Sequence, residues 1–195
     1  MNKGINKDVV KAIQVLNDGG IVIFPTDTAF GIGCRIDNHD AVDRLFQLRK
    51  RPRTQALPVL VSSESMALPY FTSPSNVVRH LMKTYWPGGL TIIAPCDVHK
   101  VYSPIRGGTK AVGLRMPNYE VTLSMISSVG VPIVGPSANF HGKKTPFTFN
   151  DLDEALVKLA DFVLIGDCYG TSSSTVVDCT IEPYTIVRRG AVLLP

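Results

Sequence analysis

The chain has little of what several large functional classes require. No apolar run approaches the ~20 residues of a membrane span, and the opening MNKGINKDVV lacks the apolar middle segment of a secretory signal. These two absences predict a cytoplasmic protein with no membrane partner. Cysteine is sparse: Cys34, Cys96, Cys168 and Cys179 form no C-x-x-C pair and have no histidine couple at zinc spacing. Each lies in or beside an apolar segment, as a small buried thiol in a reducing compartment would. The four histidines have neither metal spacing nor a clear serine or cysteine partner. There is no Walker segment, no G-x-G-x-x-G after a strand (the nearest stretch is GIGC) and no G-x-S-x-G elbow. Aromatic content is only 8%, with no RRM or KH signature, which weighs against a dedicated RNA-binding module.

What remains is an ordinary core-forming composition. In 195 residues, 45% are hydrophobic and 18% charged, and no Pro/Gly/Ser-rich linker, repeat or low-complexity tract divides them, which predicts one domain over 1–195. Helical spacing starts at Asp8 through Val9, Val10, Ile13 and Leu16, and Gly19 and Gly20 stop it. Asn38 is placed to cap a second helix that must end before Pro52, and Ser73 before Pro74 is placed to start a third that WPGG ends. Two more helices are expected, Tyr119 to Val129 ended by Gly130, and Asn150 to about Ala160. Between them lie the strand candidates IVIF, LPVLV, LTIIA, AVGLRM, VPIVG, FVLIG, STVVDC and YTIVRR. Alternation of this kind predicts a mixed α/β (α+β) protein, a twisted mixed sheet with helices packed on it.

Ligands in such sheets collect where strands end and loops converge. Here IVIF is followed by PTDT, AVGL by Arg115, VPIVG by PSAN, and YTIV by Arg188 and Arg189. Hydroxyls and amides such as Thr26, Thr28, Ser137 and Asn139 suit carboxylate, phosphate or ammonium groups, and arginine forks suit carboxylates and phosphates. Plain turn chemistry is the better account of PTDT or PSAN taken alone. The net charge of +4, with basic clusters at Arg49–Arg53, Lys143–Lys144 and Arg188–Arg189, fits an anionic ligand without requiring one.

Read in order, FPTDTAFGIGC, LRKRP, WPGGLT, GLRMP, PSAN, SSTVVD and IVRRGA together resemble the YrdC-domain family, the threonylcarbamoyl-AMP synthases. The resemblance implies a YrdC-like sheet around a large, basic concave cavity. It also implies a nucleotidyltransferase that joins L-threonine, bicarbonate and ATP into threonylcarbamoyl-AMP with release of pyrophosphate, for modification of the tRNA adenosine next to the anticodon. ATP is then a substrate, with Mg2+ carried on it. Possible further partners are tRNA itself and proteins of the threonylcarbamoyl-transfer machinery. Carried over by motif, Thr28, Arg115, Ser174 and Thr175 bind threonine; Arg51, Ser137, Asn139, Thr145 and Arg188 bind ATP; and Arg49, Arg51, Ser137 and Asn139 form the catalytic set. One departure stands out, because the family's K-x-R lysine is Arg49 here. The resemblance further implies the minimal single-domain form, and Gly142 to Lys144 would suit a mobile lid. Three alternatives stay open: a YciO-like paralogue, an RNA-binding protein, and an assembly protein that binds the substrates without turning them over.

Overall fold

The computed structural model describes residues 7–194. The first six residues, part of the segment read as lacking a secretory signal, and Pro195 lie outside the described residues. Helix α1, Lys7–Asn17, buries Val9, Ala12 and Leu16 at helical spacing and ends at Gly19 with φ 82°. Strands β1, Val22–Phe24, and β2, Gly31–Arg35, follow. Helix α2, His39–Leu48, is capped by Asn38, whose side chain accepts from the Ala41 amide at 2.9 Å. Then come β3, Val59–Leu60; the single turn α3, Glu64–Ala67; α4, Asn76–Tyr85; β4, Leu90–Pro95; and β5, Ala111–Arg115. Helix α5, Glu120–Val129, ends on left-handed Gly130 at φ 78°. The chain closes with β6, Ile133–Val134; α6, Glu154–Leu159; β7, Phe162–Val163; β8, Thr175–Asp178; and β9, Thr185–Arg188.

The described strands form one sheet in the order β7-β1-β2-β6-β3-β5-β4-β8-β9. It is mixed: β1–β7, β3–β5 and β4–β8 run parallel, the remaining pairs antiparallel. Alternation along the strands separates two apolar layers. One packs Leu45 and Phe46 of α2 and Leu81 of α4 on Ile32, Val59, Leu90 and Ile92; the other packs Leu16 of α1 and Met125 and Ile126 of α5 on Val22, Phe24 and Leu60.

Two sequence expectations are corrected, and one strand was not among the candidates. The stretch around GIGC is strand β2. Its glycines are required by packing: a Cβ on Gly33 would lie 1.8 Å from the Val134 carbonyl oxygen, and one on Gly31 would lie 2.7 Å from the Phe24 ring. Helix α4 is capped by Ser75, which accepts from the Val78 amide at 3.4 Å, whereas Ser73 has φ 45° and lies outside the helix. The last helix begins at Glu154 with Asp153 as its cap, because 149–151 form only a single 3-10 turn.

Candidate functional site: an arginine-lined cleft

The cleft lies where the loops after β1, β5 and β6 meet the beginning of β8. Antiparallel pairing places the end of the PTDT loop beside PSAN: Gly31 bridges Ser137, the Ala138 amide donates to the Phe30 carbonyl at 2.8 Å, and the Ile32 amide to the Pro136 carbonyl at 2.9 Å. The PTDT loop is itself built around one hydroxyl. Thr26 Oγ1 donates to the Ala29 carbonyl at 2.7 Å and accepts from the Thr28 and Ala29 amides at 3.1 and 3.2 Å. That network fixes Thr28, whose Oγ1 accepts from Arg115 Nη1 at 2.7 Å. Arg115 is anchored further by the Gly88 carbonyl at 3.0 Å and by a buried ion pair with Asp27. Burial pulls its guanidinium below the usual arginine value, with Asp27 opposing the shift.

On the β8 side, Ser174 is gripped twice by Arg188, which donates from Nε to its carbonyl and from Nη2 to its hydroxyl, both at 3.0 Å. The Ser174 hydroxyl also meets that of Thr91 at 2.9 Å. Facing it stands Arg49, only 2% exposed. Its Nε donates to the Asn139 carbonyl at 3.0 Å, while Nη1 is buried and has no hydrogen-bond partner among the described residues. Burial, reinforced by the neighbouring Arg51 charge, pulls Arg49 down to about 10. Arg51 and Arg188 are shifted down by burial as well.

These groups line one cleft of about 670 Å³, solvent mouth included, in which Arg49, Arg51, Arg115 and Arg188 converge with Thr28, Ser137 and Ser174, and no carboxylate lines the wall. A second groove of about 1190 Å³ continues from it, sharing Arg51, Pro58, Thr91 and Arg188, and is mostly apolar. Four guanidinia, of which only Arg115 has a carboxylate partner among the described residues, have the chemistry to suit a multiply charged anion.

Two sequence candidates stand apart. Thr175 is buried with its hydroxyl turned to the C-terminal segment: it donates to the Val192 carbonyl at 2.6 Å and accepts from the Gly190 and Val192 amides at 3.0 Å each. The reason is strand periodicity, since Thr175 follows Ser174 and points to the opposite side of β8. Thr145 is half-buried and does not line the cleft. Asn139 lies behind the wall. Its Oδ1 accepts from Ser137 Oγ at 2.6 Å and its Nδ2 donates to the Phe140 and Lys143 carbonyls at 2.9 and 2.7 Å, so it shapes the loop that presents Ser137. Lys143 and Lys144 are exposed, and Lys144 reaches Asp151 at 3.4 Å.

Sequence reasoning passed over Asp27 and Thr91. Asp27 was readable as the one acid within PTDT, next to the Thr28 hydroxyl. Thr91 was readable as the polar residue of the apolar run LTIIA. Among the described residues no cluster of His, Cys, Asp and Glu fits a protein-held metal, and no helix is long and apolar enough to cross a membrane.

A family model described as Sua5_yciO_yrdC, "Telomere recombination", matches residues 14–190. The threonylcarbamoyl-AMP synthase of Bacillus subtilis is 32% identical over 190 residues, covering 94% of this chain and 54% of the relative. That of Pyrococcus abyssi is 31% identical over 184 residues, again covering 94% and 54%. The uncharacterized protein YciO of Escherichia coli is 26% identical over 92% of this chain and 87% of its own length. The chain thus spans about half the length of these two synthases, whereas the threonylcarbamoyl-AMP synthase of Vibrio campbellii, 26% identical, is covered over its full length. Among solved structures, P. abyssi Sua5 complexed with L-threonine superposes with a TM-score of 0.89 at 30% identity, over 93% of this chain and 54% of the other. E. coli YciO superposes at 0.83 and 25%, over 93% and 88%.

Proposed function

The chain belongs to the Sua5/YciO/YrdC family, and from that premise we propose that it is a threonylcarbamoyl-AMP synthase acting in tRNA threonylcarbamoyladenosine modification. One observation carries the reading: the buried Arg49 guanidinium, with an unpartnered Nη1, sits in a wall with Arg51, Arg188 and Ser137 and without a carboxylate. A buried cation without a counter-charge is costly unless an anion completes it, and the triphosphate of ATP is such an anion.

In this reading the cleft divides by chemistry. Arg115, held by Asp27 and Thr28, takes the carboxylate of L-threonine, with Ser174 close by. Arg49, Arg51, Ser137 and Arg188 surround the phosphates, and the adjoining apolar groove takes the nucleoside. The amine of threonine adds to carbon dioxide derived from bicarbonate, giving a carbamate. A carbamate oxygen then attacks the α-phosphorus, the bond to the bridging oxygen breaks, and pyrophosphate leaves. The protein supplies position and charge stabilisation for a reaction in which anions accumulate. The wall offers no carboxylate set for Mg2+ among the described residues, so an ion entering with ATP would be held by phosphate oxygens and would supply further charge neutralisation there.

A second reading has its own support. Arg49 stands where the synthase motif leads one to expect lysine, and E. coli YciO is matched over 87% of its length, although length alone does not separate the readings, since a Vibrio campbellii synthase is matched over its full length. A YciO-like paralogue would lack this synthase activity. The deciding experiment is pyrophosphate release from ATP with threonine and bicarbonate omitted in turn, serine as a control and the adenylate identified by mass. Release that needs all three substrates is the expected result. Binding of ATP and threonine without release would favour the YciO-like reading.

A further inference from the structure

Strand β8 carries the floor of the cleft into the adjoining groove. Its alternate residues Ser174, Val176 and Asp178 share one side: Ser174 lines the arginine-rich part, and Val176 and Asp178 line the groove. Parallel pairing sets Thr91 of β4 beside Val176 and Ile93 beside Asp178, and Gly113 of β5 lies across from Ile93. Gly113 has no side chain, so this part of the sheet is an open apolar platform with one acidic residue at its far end. Asp178 is the sole carboxylate lining either space among the described residues. Its orientation is fixed, because Oδ1 accepts from the Thr180 amide at 2.9 Å and from Thr180 Oγ1 at 2.7 Å, leaving Oδ2 without a hydrogen bond among the described residues.

We propose that Asp178 is a specificity-determining residue that reads the nucleobase, its Oδ2 accepting a hydrogen bond from the 6-amino group of adenine. This rests on the reading that the arginine-lined cleft takes the phosphates of a nucleotide. Ser174 and Asp178 are four residues apart, about 13 Å along the strand. That span passes beyond the ribose hydroxyls, which stay near the phosphate end, and matches the far edge of a base lying on Val176 and Ile93. An ionised carboxylate only accepts, so it favours a ring edge that carries an amino group. With Oδ1 already committed to Thr180, one oxygen is left to read one donor.

The test is equilibrium binding of ATP and of purine riboside 5′-triphosphate, which lacks only the 6-amino group, to the wild type and to Asp178→Asn. The amide variant keeps Oδ1 for Thr180 and therefore keeps the turn, but it turns an NH2 toward the base. Wild type is expected to bind ATP about 10- to 100-fold more tightly than the deamino nucleotide. In Asp178→Asn, ATP affinity is expected to fall to that of the deamino nucleotide, whose own affinity is unchanged. A residue serving only the turn would leave the ratio untouched, and that result, or equal binding of both nucleotides by wild type, overturns the proposal. If wild type binds neither nucleotide, the nucleotide reading of the cleft has failed, and this inference with it.

Discussion

Arg49→Met separates a ligand-binding arginine from a structural one. Burial pulls the Arg49 guanidinium down to about 10, well below the ordinary arginine value, which corresponds to about 3 kcal/mol of unfavourable charge burial. The sign follows from the direction of the shift. A cation whose folded value lies below its unfolded one opposes folding throughout neutral pH, and that opposition is relieved only as pH rises from about 10 toward the ordinary arginine value. Against it stands the bond from Nε to the Asn139 carbonyl at 3.0 Å, a charged hydrogen bond of about 1.5–3 kcal/mol. The contact of Nη2 with Asn139 Oδ1 at 3.5 Å is too long to add much. The opposing effects nearly cancel. Methionine, similar in length and uncharged, should therefore change stability by less than about 2 kcal/mol, a melting shift within about 8 °C. Ligand dependence should change completely. At about 100 times its dissociation constant, pyrophosphate or ATP stabilises the wild type by about 2.7 kcal/mol, raising its melting temperature by about 5–11 °C, and it should leave Arg49→Met unmoved. Arg49→Lys, with a single donor head to divide between Asn139 and the anion, should show a smaller ligand shift than wild type. Thermal melts with and without pyrophosphate test both variants. An Arg49→Met protein that melts more than about 10 °C low without ligand, or that keeps the full pyrophosphate shift, would refute the reasoning.

Arg51→Ala and Ser137→Ala should each lower kcat/KM for pyrophosphate release at least about tenfold with the fold intact; full activity in both would place the site elsewhere. Thr175→Val, which removes the three hydrogen bonds that hold residues 190–192, should lose about 1–3 kcal/mol in denaturant unfolding while the threonine KM stays constant. A raised threonine KM at unchanged stability would return Thr175 to the pocket. Asp27→Ala leaves Arg115 buried without its counter-charge and should cost about 3–5 kcal/mol; a loss below about 1 kcal/mol would mean that water already reaches the pair.

The elements that sequence reading located were those in which one physical signal dominates. Helix α2 carries its cap and its apolar face in consecutive residues, and the buried strand β4 is an apolar run between WPGG and Pro95. Strand β2 was hidden because its signal is tertiary. Gly31 and Gly33 read locally as turn residues, and only the Phe24 ring and the Val134 carbonyl, brought in by neighbouring strands, explain why nothing larger fits. Ser73 and Ser75 are two residues apart, both plausible caps, and the choice between them is made by backbone conformation that composition does not encode.

The same division runs through the site. Residue types at strand ends predicted the meeting of Thr28, Arg115, Ser137 and Arg188, because the ends of strands in one sheet converge wherever the loops are short, while Ser174 came only from the family resemblance. Motif membership alone did not separate Ser174 from Thr175. The alternation of β8 does: one hydroxyl faces the cleft beneath Arg188 and its neighbour ties down the C-terminal segment. Nor did the spacing of Arg49 and Arg51 show that the two differ in exposure and in purpose. Arg51 is anchored to the Gln55 and Ala56 carbonyls of its own loop. Arg49 instead crosses to Asn139, 90 residues away, and so ties its charge to the loop presenting Ser137. On the proposed reading, an anion meeting Arg49 Nη1 is held by the same side chain that braces Ser137, and a lysine at this position would have to divide one donor head between the two.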